Sequence, residues 1–284
     1  MPDRAAPRAS TRLRSLLARD DRVLAVLGTP NAFHAQIMEA AGCEAAFVGT
    51  GITGGNYTAF PDTGVLSAAE CVQFGGYIAR AVSFPVILDG DTGHGGAPAV
   101  RRLVHDCIRA GLAGIRIDDQ PIEAKRATQT PGIEVVAREA AVDRYRAAVS
   151  ARDEHDPDFV LMAQCYARDA TNGGMHAPVE RLNAYWTLGG VDWVQFESPH
   201  SVDEVRQVRA AVTGTLSVMQ GKLPKPLTLA EHWALGLRIA WYTFLPDQVL
   251  KATSWNFLRD FKSRDIDAWT AFQAAHAGNP YLRS

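Results

Sequence analysis

Short apolar runs alternate with longer amphipathic segments along most of the chain. The apolar runs predict strands at residues 23–27, 45–48, 85–89, 113–117, 159–165, 193–196, 215–219 and 239–243. The segments between them predict helices near 31–41, 67–81, 97–110, 138–152, 176–188, 202–212 and 229–236. The strands lack strict alternation of polar and apolar residues, which is typical of strands buried on both faces. This repetition predicts the α/β fold class, as a single (β/α)8 TIM barrel.

The ends of the chain are expected to extend this barrel. The 284 residues suit one barrel of about 250 residues with extensions. We therefore predict one domain over 1–284, with an N-terminal arm and helix at 1–20 and a helical extension at 245–284. The extension is rich in aromatic residues, which favours packing against another surface, such as a second subunit.

Composition and charge narrow the classes of partner. The net charge is −2, with 21% charged residues, so there is no basic field and nucleic acid is not expected as a partner. No apolar run approaches the roughly 18 residues that span a bilayer, so no membrane partner is expected. The four cysteines lack metal-finger spacing, and a chain of this size does not need disulfides. A cytoplasmic location is therefore predicted.

Carboxylates follow three of the predicted strands directly. Asp89 and Asp91 end the third strand, Asp118 and Asp119 end the fourth, and Glu197 ends the sixth. In a parallel barrel the carboxyl ends of the strands converge on one face, which carries the chemistry. Acids gathered there would repel one another unless a cation lay among them, and Mg²⁺ prefers oxygen ligands. Helix capping is the alternative role for such acids.

Several segments follow one another in an order that is recognisable. Residues 89–95 read Asp-Gly-Asp-Thr-Gly-His-Gly, residues 113–120 begin Ala-Gly-Ile and end Asp-Asp-Gln, and Lys125-Arg126 follows. They resemble the D-x-D-x-G-[YF]-G, G-x-x-x-E-D-Q and K-[KR]-C-G-H segments of the isocitrate lyase/phosphoenolpyruvate mutase superfamily. Further matches are Asn31-Ala32, residues 39–42, Pro61-Asp62 and residues 197–199. The resemblance extends from about residue 12 to 245.

The resemblance implies a barrel whose last helix is often exchanged between subunits, so a homo-oligomer, either a dimer or a tetramer, is expected. It implies Mg²⁺, with Mn²⁺ as an alternative, held partly through water by Asp89, Asp91 and Asp118. It also implies a small-molecule carboxylic acid substrate, an α-keto or 2-hydroxy acid, and an enolate intermediate. The residues assigned to substrate binding around the second strand and the outer shell of the site are Phe47, Gly49, Thr50, Gly51 and Asp62.

The chain departs from the family pattern at important positions. The cysteine, glycine and histidine of the signature are replaced by Ala127, Thr128 and Gln129. The cysteine is the protonating acid of the isocitrate and methylisocitrate lyases, and alanine cannot donate a proton. The arginine that usually binds the substrate carboxylate is replaced by Gln164, and the glutamate of E-D-Q is shortened to Asp118. The pocket is therefore expected to be less cationic than is usual in this family.

The remaining candidates are assigned by their position beside the acids or in the signature. Gln164 and Glu197 are assigned to substrate binding. A histidine beside the acids could transfer protons or only pack, and the basic pair of the signature could contact a substrate anion or lie in solvent. A tyrosine at the end of the fifth strand could donate a proton. The four residues taken as catalytic candidates are His94, Lys125, Arg126 and Tyr166.

Together these features predict a Mg²⁺-dependent carbon–carbon lyase. It would cleave a 2-hydroxy or 2-keto carboxylic acid by retro-aldol cleavage or decarboxylation, through an enolate. The loop at 119–137 is expected to close over the ligand and exclude water. Two alternatives remain open. One is a C–P or keto-acid hydrolase or phosphomutase of the same superfamily, and the other is a catalytically degenerate barrel that binds a metabolite.

Overall fold

The eight predicted strands form one parallel sheet that is nearly closed. The computed structural model describes residues 7–128 and 130–282, and the sheet order there is β7-β6-β5-β4-β3-β2-β1-β8. The strands are β1 (Leu24–Gly28), β2 (Ala46–Val48), β3 (Val86–Asp89), β4 (Gly114–Asp118), β5 (Val160–Cys165), β6 (Trp193–Phe196), β7 (Leu216–Val218) and β8 (Ile239–Tyr242). The (β/α)8 barrel is confirmed, with every strand within one residue of its predicted bounds.

Helices lie between the strands and at both ends of the chain. They are α1 (Ala9–Leu17), α2 (Ala32–Ala40), α3 (Gly55–Thr58), α4 (Ala68–Ala79), α5 (Ala97–Arg109), α6 (Arg138–His155), α7 (Ala177–Thr187), α8 (Val202–Ala211), α9 (Leu229–Ala234), α10 (Leu245–Arg264) and α11 (Ile266–Ala275). Helix α4 begins at a capping box, because Ser67 and Glu70 each bond the other's backbone amide. Such a cap satisfies amides that the first helical turn leaves unpaired.

Strands β7 and β8 are the two ends of the sheet. Strand β8 pairs in parallel with β1, in the register Leu24 to Ile239. A side chain bridges the gap on the other side, because the Gln220 amide donates to the Trp241 carbonyl oxygen at 3.2 Å and accepts from the Leu227 amide at 2.6 Å. The barrel is therefore closed at this point by side-chain hydrogen bonds.

Two apolar layers flank the sheet. The outer layer lies between strands and helices. The inner one fills the barrel with large side chains such as Met162, Trp193 and Trp241. Helix α1 closes the amino-terminal end, where Leu13 is fully buried in the inner layer. Its Ser10 hydroxyl donates to Asp156 at 2.8 Å. The predicted N-terminal helix is thus confirmed. Because this helix covers the amino-terminal end of the barrel, a functional site is expected at the carboxyl ends of the strands.

The chain divides into two compact units, Met1–Thr243 and Phe244–Ser284. The second unit contains α10 and α11, which pack through an aromatic cluster. The ring centroids of Phe257 and Phe272 are 5.3 Å apart, and those of Phe257 and Trp269 are 6.1 Å apart. The helical character predicted for 245–284 is observed over Leu245–Arg264 and Ile266–Ala275, and the described residues after Ala275 are not helical. The prediction of one domain over 1–284 stays a prediction.

The described helices contain no segment that is both long and apolar enough to cross a membrane. The four cysteines, Cys43, Cys71, Cys107 and Cys165, are free thiols. Cys165 lies in the apolar layer between strands and helices, and burial raises the pKa of its thiol well above the ordinary value.

Candidate active site

The turn after β3 is locked in an uncommon backbone conformation. Asp91 and His94 both have positive φ values, 53° and 56°, which residues other than glycine rarely adopt. The turn is tied to β4 because the Gly90 amide donates to the Arg116 carbonyl at 2.7 Å and the Asp118 amide donates to the Asp91 carbonyl at 2.8 Å. The fold therefore holds Asp91 and Asp118 side by side.

A buried lysine lies among three carboxylates from three connections. The Lys125 Nζ is 2.8 Å from Asp91 Oδ1, 3.1 Å from Asp62 Oδ1 and 3.7 Å from Asp118 Oδ2. Burial alone would lower the pKa of Lys125, but the facing carboxylates raise it well above its ordinary value. Desolvation raises the pKa of Asp118 to about 7, although Lys125 opposes this shift. Four of the predicted site residues are therefore brought together.

Asp89 has a different partner, an arginine inside the barrel. Arg116 faces Asp89 across the β3–β4 pair, and its Nη2 donates to Asp89 Oδ2 at 2.9 Å. The guanidinium lies 4.5 Å from the centroid of the Phe47 ring and 5.8 Å from that of Trp241. Phe47 is thus part of the aromatic packing around Arg116. Sequence reasoning missed this arginine, although a cationic residue in the middle of the strand Gly114–Asp118 was a visible signal.

Glu197 is buried against a neutral partner. Its Oε2 accepts a hydrogen bond from Gln164 Nε2 at 2.6 Å, and its Oε1 lies 3.4 Å from the Ser198 hydroxyl. Both Gln164 and Glu197 are 1% exposed. Burial raises the pKa of Glu197 to about 7, and the nearby Arg116 only partly offsets this. The carboxyl at the end of β6 can therefore hold a proton near neutral pH.

Asp119, by contrast, is saturated with donors. Its Oδ2 accepts from Tyr185 Oη at 2.7 Å and Arg181 Nε at 3.1 Å, and its Oδ1 accepts from the Tyr166 amide at 2.9 Å. Its carbonyl also accepts from the Val136 amide at 2.9 Å. Asp119 thus ties the end of the long loop to β5 and α7, which is a structural role.

The two other predicted proton carriers have contrasting surroundings. The Tyr166 hydroxyl is 2.7 Å from Thr128 Oγ1, and burial raises its pKa well above the ordinary value. His94 Nε2 is buried without a hydrogen-bond partner among the described residues. Burial also lowers the pKa of His94 despite the carboxylates of Asp91 and Asp89, which favours the neutral imidazole.

The loop between β4 and α6 is braced at its start. The Gln120 side chain bonds both ways with the backbone of Arg126, at 3.1 Å in each direction. This arrangement directs Lys125 inwards, whereas the Arg126 side chain is exposed. Arg126 is therefore not brought to the acids in this conformation. Gln129, which stands where the family signature has histidine, lies outside the described residues.

The segment after β2 forms a π-helical turn, Thr50–Gly54, that leads into α3. Thr50 Oγ1 donates to Asp62 Oδ1 at 2.8 Å. A Cβ atom on Gly51 would lie only 3.2 Å from Asp62 Oδ2, so the close approach favours glycine. The first amides of a helical turn lack partners within it, and here they lie at the carboxyl end of β2. The sequence prediction placed no element between the strand at 45–48 and the helix near 67–81, so it missed this turn.

The donor set is suited to a hard cation, although it is not a preformed cage. Among residues 7–128 and 130–282, no cluster of three or more His, Cys, Asp and Glu side chains has metal-binding geometry. However, Asp91 Oδ2 is buried and has no hydrogen-bond partner among the described residues. An unpaired carboxylate oxygen beside two further acids fits a divalent cation that Asp91, Asp89 and Asp118 would hold.

Comparison with known proteins finds similar sequences and structures over most of the chain. A family model described as phosphoenolpyruvate phosphomutase matches residues 13–255. The 2-methylisocitrate lyase of Shewanella oneidensis is 35% identical over 205 residues, which cover 72% of this chain and 68% of that protein. The 2,3-dimethylmalate lyase of Eubacterium barkeri is 33% identical over 235 residues, covering 82% and 79%. A solved structure of oxaloacetate acetylhydrolase with 3,3-difluorooxalacetate has a TM-score of 0.84 at 25% identity, covering 95% and 94%.

Proposed function

Because the chain belongs to the isocitrate lyase/phosphoenolpyruvate mutase superfamily, we propose that it cleaves a C–C bond of a 2-hydroxy or 2-keto carboxylic acid. Relatives named as lyases of 2-methylisocitrate and 2,3-dimethylmalate support a carbon–carbon lyase. The observation that carries the proposal is the cluster of Asp62, Asp91 and Asp118 around Lys125 at the carboxyl ends of the strands. That cluster combines a cation site with an ammonium group that can contact a substrate anion.

Asp91 is the residue that would hold a divalent ion directly, with Asp89 and Asp118 oriented towards it. We propose Mg²⁺, with Mn²⁺ as a substitute, since all three ligands are carboxylates. When bound, such an ion stabilises the negative charge that develops on the substrate oxygen as the bond breaks. Arg116 donates to Asp89 Oδ2 at 2.9 Å and the Asp91 backbone amide donates to Asp89 Oδ1 at 3.2 Å, so the Asp89 carboxylate is fixed beside Asp91.

The protein's own groups would bind and enclose the substrate. We propose that the backbone amides at Gly49, Thr50 and Gly51 receive its carboxylate, as helix N-termini do with anions. Lys125 would then exchange part of its contact with the aspartates for contact with the substrate. Closure of the loop at 119–137 would bring Arg126 inwards and exclude water, which strengthens the electrostatic interactions inside.

Cleavage would leave an enolate that must be protonated. Ala127 stands at the signature cysteine and cannot donate a proton, so another group must act. Tyr166 and His94 were the candidates from the sequence, together with solvent. The tyrosine hydroxyl is bonded to Thr128, and burial raises its pKa well above the ordinary value, which makes it a poor proton donor. Burial lowers the pKa of His94 and favours its neutral form, so the histidine seldom carries the imidazolium proton that it would have to donate.

We also propose a homo-oligomer, a dimer or a tetramer, built on the helical unit after residue 243. That unit exposes large apolar side chains, among them Val249, Trp255 and Leu258. Exposed apolar groups in such number favour association. Light scattering coupled to size exclusion should give twice or four times the mass of the chain, and a monomeric mass would contradict this. A cytoplasmic location stays a prediction.

The direct test is product formation from defined acids. The purified protein is incubated with 2-methylisocitrate, 2,3-dimethylmalate or oxaloacetate, with Mg²⁺ or with a chelator, and products are followed by NMR. We expect metal-dependent release of pyruvate from one of the first two acids. Asp91→Asn should abolish turnover while retaining the wild-type melting profile. Full turnover by folded Asp91→Asn on the true substrate would contradict the proposed site.

The runner-up is a keto-acid hydrolase, favoured by the similarity to oxaloacetate acetylhydrolase. Oxaloacetate in the same panel separates the two functions. A hydrolase would convert oxaloacetate to oxalate and acetate, and it would release no pyruvate from 2-methylisocitrate or 2,3-dimethylmalate. A barrel that only binds a metabolite would release no product and would bind the metal poorly.

A further inference from the structure

The site contains one buried carboxyl group that the mechanism above does not use as an acid. Glu197 ends β6 on the same face as the aspartate cluster, since its neighbour Gln164 is in register with Asp118 on β4. The Glu197 amide donates to the Cys165 carbonyl at 3.1 Å, which fixes the backbone at this edge. The carboxyl therefore has a defined position beside the reacting region.

The partners of Glu197 are neutral where a cation would be expected for a buried carboxylate. Gln164 Nε2 donates to Oε2 at 2.6 Å, and the other side-chain hydrogen bond recorded among the described residues is from the Ser198 hydroxyl at 3.4 Å. An amide can donate to either the ionised or the protonated carboxyl group, whereas a guanidinium would stabilise the ionised form alone. The glutamine at the position of the family arginine thus permits Glu197 to keep its proton.

Two charged groups and one neutral phenol from neighbouring elements interact with this carboxyl. Arg116 on β4 favours ionisation of Glu197, while Asp89 on β3 disfavours it. Tyr166, which follows β5, also interacts with Glu197 electrostatically. The arginine is already engaged by Asp89 at 2.9 Å, so its charge is shared. Burial is the dominant effect and keeps the carboxyl protonated up to near-neutral pH.

We propose that Glu197 is the general acid that protonates the enolate, replacing the cysteine that is absent at Ala127. This inference rests on the proposed lyase function. The O–H bond of the Glu197 carboxylic acid breaks, and a C–H bond forms at the carbon that lost its bonding partner. The enolate electron pair supplies that bond. Glu197 is left as a carboxylate and regains, through water, the proton that the substrate hydroxyl lost, so no oxidant or reductant is needed.

The first test uses Glu197→Gln with Mg²⁺ and whichever of 2,3-dimethylmalate and 2-methylisocitrate the wild-type enzyme cleaves. The variant is close in shape and can still accept from Gln164, so it should fold as the wild type does. We expect turnover to fall about 10²–10⁴-fold, the usual contribution of a general acid. Wild-type turnover should decline as the pH rises through about 7, and the residual activity of the variant should lack that decline.

Isotope placement gives a second readout for 2,3-dimethylmalate. Cleavage of its central bond yields pyruvate and propionate, and in D₂O the new C–H position of propionate carries deuterium. A fixed acid delivers deuterium to one face, so wild-type propionate should be a single enantiomer. Glu197→Gln should give a racemic product, because solvent then quenches the enolate. A single enantiomer from the variant, or turnover within threefold of wild type, would overturn the assignment.

Substitutions at Gln164 test the same idea without touching the acid. Gln164→Arg should ionise Glu197 by pairing with it and move the decline in turnover to lower pH. Gln164→Met removes the hydrogen bond and should move the decline to higher pH. Shifts in opposite directions support the proposal, whereas an unmoved decline in both folded variants overturns it. If the wild-type protein cleaves neither acid, the proposed function fails on these substrates and this inference fails with it. If the Glu197→Gln variant still cleaves the substrate at the wild-type rate, the lyase function stands and only the assignment of Glu197 as the acid is overturned.

Discussion

Two fully buried carboxylates on the same face of the barrel have opposite surroundings. Asp119 follows β4 and accepts from a guanidinium, a phenol and a backbone amide, all within 3.1 Å. Glu197 follows β6 and accepts from one neutral amide at 2.6 Å and faces one hydroxyl at 3.4 Å. The first set of donors holds a fixed negative charge, and the second leaves the group free to bind a proton.

The comparison separates structure from chemistry among residues of the same type. A saturated carboxylate secures elements, as Asp119 does for β5, α7 and the end of the long loop. A carboxyl group that has few hydrogen-bond donors, and that burial keeps protonated, can take part in proton transfer. The sequence places both acids just after apolar strands, so only their partners distinguish them.

The largest expected effect is on stability, at Asp119. Asp119→Ala would leave Arg181 buried with an unpaired charge and free two further donors. Breaking such a buried pair costs about 3–5 kcal/mol in the free energy of unfolding. Urea unfolding at neutral pH measures this directly. Glu197→Gln is the matched control and should change the free energy of unfolding far less at pH 5, because it mimics the protonated carboxyl. Equal losses in the free energy of unfolding for both variants would contradict the difference proposed between Asp119 and Glu197.

The second effect is the pH dependence of stability. The folded protein keeps a proton on Glu197 up to a pKa of about 7, from an ordinary value of 4.5. The unfolded chain therefore releases this proton first, and raising the pH from 4.5 to 7 favours unfolding. The loss should reach up to ~3 kcal/mol in the free energy of unfolding.

Glu197→Gln isolates that contribution, because Asp118 has a pKa raised in the same direction and titrates in both proteins. Urea unfolding at pH 5 and at pH 7.5, with chelator present, should show the variant gaining stability relative to wild type at the higher pH. A constant difference between the two proteins would mean that Glu197 does not hold a proton in the folded state.

The smallest effects come from removing one hydroxyl partner from each acid. Tyr185→Phe deletes the 2.7 Å donor of Asp119 and should cost about 2 kcal/mol, since hydrogen bonds to charged groups are worth more than neutral ones. Ser198→Ala removes only the 3.4 Å contact of Glu197 and should cost less than ~0.5 kcal/mol. Thermal unfolding of both variants gives the ranking, and the reverse order would contradict the comparison.

The barrel could be predicted from the sequence because its information is local. Apolar runs of four to seven residues mark the strands, and caps such as the one at Ser67 mark helix starts. These signals do not depend on distant partners. The π-helical turn at Thr50–Gly54 escaped prediction because nothing in Thr-Gly-Ile-Thr-Gly is typical of a helix. Its conformation depends on the contact between Thr50 and Asp62, which comes from elsewhere in the connection.

The residues of the site could be predicted from the sequence, but the hydrogen bonds and ion pairs between them could not. Acids at strand ends and Lys125 were identified, because their positions follow from topology and motif order. The pairing of Asp89 with Arg116, and the different supply of donors to Asp119 and Glu197, depend on register and side-chain direction. No local pattern encodes those. The assignment of Arg126 to the site stays a prediction that requires loop closure.

The central claim is that the aspartate cluster binds a divalent ion and a carboxylic acid together. Thermal unfolding with Mg²⁺, with oxalate, and with both tests it most directly, since a ligand specific to the folded state raises the midpoint. We predict a rise that requires Mg²⁺ and oxalate together in the wild-type protein and is absent in Asp91→Asn. An equal rise in Asp91→Asn, or no rise in the wild type, would contradict a metal-assisted lyase site at Asp91.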